Sequence, residues 1–421
     1  MNSIRTRTLW IGIVLLLLLP LLVLLSVGYS ETGQQGILAA ARFLFGSSPD
    51  ADREILKLRL MRSLCAIGVG GSLALAGAMS QGLFRNPLAA PDLLGIGSGA
   101  MLGAVIGIAF LGGYGPDFWM SRPVVGASND GMYTLAIIPV LSFAGALATA
   151  LTIYRLATRG GRISIPALLL TGLAVNALLG AILAALQVLL LQDWQVSRAI
   201  LAWGFGTLDD RTPFHLGVVW GGAALALLSI PFVGLELDLL AGGEEDAAAL
   251  GADPVKIKML VLACVALATA SSVAVSGQIA FVGLLVPHVM RMIVGPHHRS
   301  LLPISFLAGA VLLLSVLVLQ HGLCPVLSDA VAFDHVVLKS GEEISGRIVS
   351  ETPEKIAIIR STTGERVAVP RFEAASVSKH QGRLALFFWR VSSFQPGVLT
   401  SLLGAPFFLY LLLRQRRALE G

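Results

Sequence analysis

A short Ala-rich segment that opens with three acidic residues differs in character from the apolar sequence around it. In LELDLLAGGEEDAAALGADPVKIK, Glu244, Glu245 and Asp246 begin this segment and Gly251 follows it. Acidic side chains are favourable at the positive end of a helix dipole, and a glycine after the last turn readily adopts the left-handed backbone that ends a helix. The spacing predicts a two-turn helix that could rest in a groove of another protein. An ordinary capped surface helix has the same signature.

A second group of polar residues lies inside an apolar run. Asn176, with Thr171 and Gln187, supplies polar atoms in a stretch otherwise made of Ala, Leu and Gly. Buried polar groups in a membrane usually face protein or water. We expect these three residues to line a path through the protein. For Asn176 the alternative is a hydrogen bond between two helices.

Two sources of energy for work by the protein are disfavoured by features that the sequence lacks. No Lys follows a Gly, so the GxxxxGK[ST] loop that binds ATP phosphates is absent. All 25 acidic residues fall in loops, termini or a charged insertion, and Asp92 is the nearest of them to membrane depth. Ion-driven transporters usually need an ionisable or chelating group near the midplane. We therefore expect energy, if the protein uses any, to come from a partner.

The His and Cys residues form no metal-binding pattern. His288 has no second ligand at helical spacing, which favours a structural hydrogen-bonding role. His297 and His298 stand beside an Arg in a loop and are expected to be solvated. Cys65 and Cys264 lie in apolar runs without CxxC spacing, where they pack as small hydrophobic residues. No metal and no cofactor is expected.

The composition is that of a membrane protein. Of 421 residues, 55% are hydrophobic and 13% are charged, about half the charged share of soluble domains. The 30 Lys and Arg residues are scattered between apolar runs, which argues against binding of nucleic acid.

Apolar stretches of about 20 residues predict membrane-spanning helices, because lipid offers no partner for unpaired backbone groups. The fold class expected is an all-α polytopic membrane protein of about ten helices. A tight turn at Ser276, Gly277 and Gln278 separates two short spans. The predicted spans are 9–27, 64–80, 94–111, 134–154, 166–191, 216–235, 259–275, 281–293, 301–319 and 397–413.

The distribution of basic residues predicts the orientation. With both termini in the cytoplasm, 13 Lys and Arg lie inside and eight lie in the short outer loops. Excess positive charge marks the cytoplasmic side. The loop at Glu245 is then cytoplasmic, and Cys324 lies near the outer face.

A charged, β-patterned segment interrupts the apolar chain. Val and Ile alternate with polar residues between turn signals at Ser340-Gly341, Thr352-Pro353 and Thr363-Gly364. We expect four or five strands forming a small SH3-like barrel at about 333–379. The predicted division is membrane helices at 1–319, an extracytoplasmic insertion at 320–396, and the last helix with a cytoplasmic tail at 397–421.

Several segments together resemble one family. Gly243, Glu244, Glu245, Ala247, Leu250 and Gly251 resemble the GEExAxxLG coupling motif of permease subunits of ATP-binding-cassette (ABC) importers for iron-siderophores, haem and cobalamin. The resemblance extends, in the same order, to RLMR (59–62), GAMSQGLFRNPLAAPDLLGIGSGA (77–100), SGQIAFVGLLVPHVMRMIVGPHHRSLLPIS (276–305) and GVLTSLLGAPFFLYLL (397–412). Departures occur at Val316, Gln320 and Ser393, where the family usually has Asp, Arg and an acidic residue.

This resemblance implies a type II importer fold, a dimer of permeases (identical or paralogous) with a central pore, two cytoplasmic ATPase subunits and an extracytoplasmic substrate-binding protein. The chain itself is then not an enzyme. It also implies that Arg59 and Arg62 help dock the binding protein; anchoring at lipid headgroups is the alternative. The expected function is import of an iron-siderophore, haem or cobalamin-type chelate across a bacterial inner membrane. The alternative is a membrane-anchored sensor or scaffold whose working part is the β insertion.

Overall fold

The chain divides into a helical unit and a β unit, seen here in a computed structural model. The helical unit holds the described residues before Val318 and from Gln395 onward, and the β unit lies within Val318–Phe394. Cys324 and Ser393 lie outside the described residues. The structure describes residues 2–28, 40–43, 50–110, 131–159, 162–190, 194–209, 211–323, 333–340, 343–352, 354–360, 366–380 and 394–420.

Helices built from the apolar runs make up most of the helical unit. A 3-10 turn, Pro91–Leu94, precedes α3, and a two-stranded hairpin of β1 (Thr158–Arg159) and β2 (Arg162–Ile163) joins α4 to α5. The helices are α1 (Asn2–Gly28), α2 (Asp50–Phe84), α3 (Ile96–Phe110), α4 (Gly131–Ala157), α5 (Ile165–Leu190), α6 (Trp194–Gly204), α7 (Pro213–Gly242), α8 (Glu244–Ala249), α9 (Pro254–Ser276), α10 (Val282–Val294), α11 (His298–Leu317) and α12 (Pro396–Glu420).

Seven of the described helices are long and apolar enough to cross a membrane. Three shorter apolar helices, Ile96–Ala109, Val282–Val294 and Pro396–Tyr410, accompany them. Each predicted span overlaps one of these helices, and the number that crosses the membrane stays a prediction. Helix α6 was not expected from the sequence, because its 11 residues are too few to cross a bilayer.

Helix α2 lies at the centre of the helical unit, and 89% of its most apolar stretch is buried. It packs on α7, α9, α10 and α11. At its crossing with α11, a Cβ added to Gly70 would collide with the carbonyl oxygen of Gly309, and one added to Gly309 would collide with that of Gly70. Lipid provides no hydrophobic drive between helices, so such close backbone contacts supply much of the packing energy.

The predicted tight turn is confirmed, but the helix before it is not short, since α9 has 23 residues and is long enough to cross a membrane. Helix α9 ends at Ser276 and α10 begins at Val282. Gly277 has φ +69°, and its α-carbon lies so close to the backbone of Trp203 that a side chain would collide there. Glycine fits this position because it has no Cβ.

The β unit contains a five-stranded antiparallel sheet. The strands are β3 (Phe333–Leu338), β4 (Glu343–Glu351), β5 (Lys355–Arg360), β6 (Arg366–Pro370) and β7 (Ala374–His380). Their order is β6-β5-β4-β3-β7, and a 3-10 turn, Arg371–Glu373, joins β6 to β7. Ile356 and Val369, which are opposite each other in the ladder, form its buried centre.

Candidate functional site

The acidic loop between α7 and α9 folds as the sequence predicts. Helix α8 begins after Gly243, and the backbone N–H of Ala247 donates to the carbonyl oxygen of Gly243. At the other end Gly251 has φ +88° and donates to Ala248, while Ala252 donates to Ala247. These two bonds form a Schellman motif, which satisfies the last carbonyl groups of a helix.

Lys258 fastens the start of α8 to the helical unit. Its ammonium group lies 2.6 Å from Oε2 of Glu244 and donates a 3.0 Å hydrogen bond to the carbonyl oxygen of Ile163. Lys258 is 4% exposed, and the Glu244 side chain is 46% exposed. Because a buried ammonium group is costly without partners, Lys258 holds α8, α9 and the β1–β2 hairpin in one fixed arrangement.

Asp253 begins α9 immediately after this loop. Its Oδ1 accepts hydrogen bonds from the backbone N–H groups of Val255 and Lys256, and its Oδ2 lies 3.2 Å from Nζ of Lys256. These interactions, the backbone bond from Lys256 foremost, lower the pKa of Asp253. The carboxylate therefore stays ionised and acts as the N-cap.

One side of α8 faces the protein and the other is open. Ala247 is fully buried and packs within the core of the helical unit. Glu245, Ala248 and Leu250 are exposed, Leu250 at 71%. Leu250, immediately after α8, thus leaves an exposed apolar side chain next to a short helix that is fixed to the core.

A hydrogen-bonded pair of side chains joins α7 to α11 near the same loop. Oδ1 of Asp238 lies 2.7 Å from Nδ1 of His298 and accepts a 2.8 Å hydrogen bond from the backbone N–H of His298. His298 is 3% exposed. The prediction that His298 is solvated is therefore wrong: its partner lies 60 positions earlier, where sequence spacing gives no signal. His297 is exposed, as expected.

A cavity of about 340 Å³ lies beside α5. We call it the Asp92 cavity. Four polar side chains reach it, namely Asp92, Ser98, Asn176 and, from the turn after α9, Gln278. The remaining lining residues are Leu73, Gly97, Val273, Ile279 and Ala280.

Asn176 both lines this cavity and links helices. Its Oδ1 accepts a 2.7 Å hydrogen bond from Oγ of Ser98, and its Nδ2 donates a 2.9 Å bond to the carbonyl oxygen of Asp92. The bond to Ser98 is the alternative that the sequence left open. Thr171 and Gln187, on the same helix, are half-buried and do not belong to the lining of the Asp92 cavity.

Arg59 and Arg62 lie within α2 and are engaged inside the chain. The Arg59 guanidinium donates a 3.1 Å hydrogen bond to the carbonyl oxygen of Val27, near the end of α1. That of Arg62 lies 3.3 Å from Oδ1 of Asp209. The two residues are 5% and 9% exposed. Neither guanidinium lies open on the surface of the single chain.

The three predicted groups of residues thus occupy three different places: the loop around α8, the helix α5 beside the Asp92 cavity, and α2. Sequence reasoning missed Lys258, Ser98 and Gln278. Lys258 is preceded by Lys256, which is exposed, and only the fold shows which of the two reaches inward. In the described residues no group of three or more His, Cys, Asp or Glu side chains is placed to hold a metal ion.

Comparison with known proteins identifies the family. Residues 15–327 match the model of the FecCD transport family, which is well over half of the chain. The matched region ends before β3.

Three relatives are between 32% and 39% identical to the chain over the aligned residues. A cobalamin import system permease protein of Halobacterium salinarum is 37% identical over 69% of this chain and 70% of its own length. A hemin transport system permease protein of Yersinia pestis is 39% identical over 71% of this chain and 84% of its own length. A ferric enterobactin transport system permease protein of Escherichia coli is 32% identical over 72% of this chain and 84% of its own length.

A solved structure has the same fold. It is described as a metal-chelate type ABC transporter in an inward-facing conformation, and it superposes with a TM-score of 0.64 at 23% identity. The match covers 96% of this chain and 99% of the other. Nothing in these comparisons supports an anchored sensor or scaffold. The chain belongs to the FecCD transport family and is a multi-pass membrane permease subunit of an ABC importer.

Proposed function

We propose that the chain works as one of two permease subunits, a homodimer or a pair of paralogues, that import an iron-siderophore, haem or cobalamin-type chelate across a bacterial inner membrane. The named cargoes of its relatives support this class. Two cytoplasmic ATPase subunits hydrolyse ATP and an extracytoplasmic binding protein delivers the chelate. Exposed leucines along α5, such as Leu170, Leu173 and Leu189, suit contact with lipid or with the second permease.

In this proposal the surface around α8 receives the ATPase. Residues 243–251, with Gly243, Glu244, Glu245, Ala247, Leu250 and Gly251, act as the coupling helix. The observation that carries the proposal is the combination of an exposed outer side at Leu250 with an inner side fixed by Ala247 and by Lys258. A helix held in this way moves with α9 and the β1–β2 hairpin when the ATPase subunits close, and so biases the permease between two states.

The chelate passes along α5. Thr171, Asn176 and Gln187 contribute polar atoms to this path, supported by the position of Asn176 at the Asp92 cavity. Because both polar ends of the Asn176 amide are already bonded to Ser98 and to the 3-10 turn, Asn176 shapes the path more than it grips the cargo.

For the binding protein we propose a docking surface that Arg59 and Arg62 hold in place. Arg59 caps α1, and Arg62 positions Asp209, whose side chain is 36% exposed. The two arginines would then affect docking of the binding protein indirectly, by holding α1 and Asp209 in position.

The proposed topology has ten spans with both termini in the cytoplasm. Residues 1–319 and 397–421 carry the helices, and residues 320–396 form an extracytoplasmic insertion with an SH3-like domain at about 333–379. The strand order and the 3-10 turn between β6 and β7 support that class of domain.

Co-purification tests this function. The affinity-tagged permease, expressed with its chromosomal neighbours and extracted in mild detergent, should retain a protein with a P-loop ATPase sequence in a one-to-one ratio. Vesicles containing the complex should take up a labelled chelate with ATP and binding protein present. A permease that retains no ATPase, and whose vesicles take up no chelate, would refute the proposal.

A further inference from the structure

The Asp92 cavity contains a carboxylate that neither packing nor the proposed coupling accounts for. Asp92 lies in the 3-10 turn Pro91–Leu94, whose last residue is followed by Gly95 in a left-handed conformation. The carbonyl oxygen of Asp92 is occupied, since it accepts bonds from Gly95 and from Asn176. These bonds fix the backbone of the turn and thereby the position from which the carboxylate reaches the cavity.

The Asp92 carboxylate and the Gln278 amide lie next to the same open space, beside Gly97. A Cβ built on Gly97 would lie 3.6 Å from Oδ1 of Asp92 and 3.5 Å from Nε2 of Gln278, both ordinary contact distances. Gly97 therefore leaves a space about the size of a methyl group between these two side chains. Ser98, next along α3, adds a hydroxyl that also faces the cavity.

Asp92 is enclosed by the chain yet open to the cavity. It keeps more than a third of its surface exposed, while the protein around it raises the pKa of the carboxyl. A carboxylate in such surroundings gains more from a positive or proton-donating partner than one in free water does.

The size of the cavity suits a part of a chelate. At about 340 Å³ it lies at the low end of small-molecule pockets. A whole siderophore complex, haem or corrinoid is larger. The cavity fits one substituent of such a chelate.

We propose that the Asp92 cavity is a binding site for a positively charged or N–H-donating group, and that the imported chelate places such a substituent there. The claim that the chelate places a substituent there rests on the proposed function. In this arrangement the Asp92 carboxylate accepts from the cation, and Gln278 and Ser98 supply neutral hydrogen-bonding partners. A carboxylate-bearing substituent is excluded by repulsion from Asp92.

Reaction of a cysteine in the cavity measures this selectivity directly. Gly97→Cys in a cysteine-free background places a thiol beside Asp92 without a collision. Two methanethiosulfonate reagents are compared on the detergent-solubilised permease, one with a trimethylammonium group and one with a sulfonate group. We expect Asp92→Asn to lower the ratio of cationic to anionic reaction rates at least tenfold. At Leu250→Cys, at the exposed position that follows α8, Asp92→Asn should leave the ratio unaltered.

Protection by small ions tests binding itself. Ethylammonium at millimolar concentration should slow the reaction of Gly97→Cys with a neutral thiol reagent, and acetate at the same concentration should not. Asp92→Asn should abolish the protection. An unreactive Gly97→Cys, a rate ratio unchanged by Asp92→Asn, or equal protection by the two ions would each overturn the assignment.

The experiments can refute the cation-site proposal and the transport proposal independently of each other. If ethylammonium protects while the complex imports no chelate, the cation site stands and the transport proposal falls. If the complex imports a chelate but the cavity shows no preference for charge, only the inference about Asp92 falls.

Discussion

Gly251 is the residue whose backbone defines the end of α8. Its φ of +88° disfavours any residue with a Cβ, and a built Cβ meets no described atom within 4 Å. Gly251→Val should therefore act through backbone strain alone, of roughly 1 kcal/mol or more. We expect chelate-stimulated ATP hydrolysis and uptake to fall while membrane insertion is retained.

Gly242 provides the control for this variant. It lies at the end of α7, has equally open space around a built Cβ, and has no left-handed backbone. Gly242→Val should leave stimulated hydrolysis near the wild-type value. Equal activity of the two variants would remove Gly251 from the coupling role.

Lys258 makes the buried contact that holds α8 in place. Lys258→Met removes the charge, leaving Glu244 without its partner and the Ile163 carbonyl without a donor. The loss of a charged hydrogen-bonding partner costs about 1–3 kcal/mol. In a thermal-aggregation assay in detergent the variant should aggregate at a lower temperature than the wild type. ATPase subunits that still bind it should show less stimulation of ATP hydrolysis by the chelate.

Lys256 is the matched control on the same helix. Its ion pair with Asp253 is exposed, at 80% and 47% for the two side chains. Such surface pairs contribute less than about 1 kcal/mol. Lys256→Met should therefore behave like the wild type. If Lys256→Met and Lys258→Met lose the same stability, the buried contact is not what fixes α8.

The two ends of the sheet in the β unit lie side by side, which suits this unit to excision. Phe333 and His380 are paired across β3 and β7, so a short Gly-Ser linker can join the flanking chain after excision of 333–380. We expect the excised permease to insert and to retain its ATPase, because the family match ends at residue 327. Blue-native electrophoresis would measure the assembly. Loss of the ATPase on excision would show that the β unit supports the transporter core.

Local patterns predicted some elements and missed others. The alternation of Val and Ile located the five-stranded sheet, and the Gly after an Ala run located the end of α8, because both signals lie within a few residues. The β1–β2 hairpin has only two residues per strand, too few to show alternation. The contacts of Lys258 to Ile163 and of Asn176 to Asp92 join positions 95 and 84 residues apart, and only the tertiary fold brings them together.

Across the whole molecule the proposed orientation makes α8 cytoplasmic. In intact spheroplasts, a membrane-impermeant maleimide should not label Glu245→Cys in a cysteine-free background. After lysis it should label strongly, because Glu245 is exposed. Labelling before lysis would reverse the topology and place the β unit in the cytoplasm.

Site-specific crosslinking from Leu250 is the measurement that tests the central claim most directly. A photoreactive amino acid at this exposed position should join the permease to a P-loop ATPase subunit in membranes of the native cells, as identified by mass spectrometry. The same amino acid at Leu228, an exposed residue within the membrane-spanning α7, should give no such product. Absence of the ATPase from the Leu250 product, or its equal presence in the Leu228 product, would contradict the assignment of α8 as the coupling helix of an ABC importer.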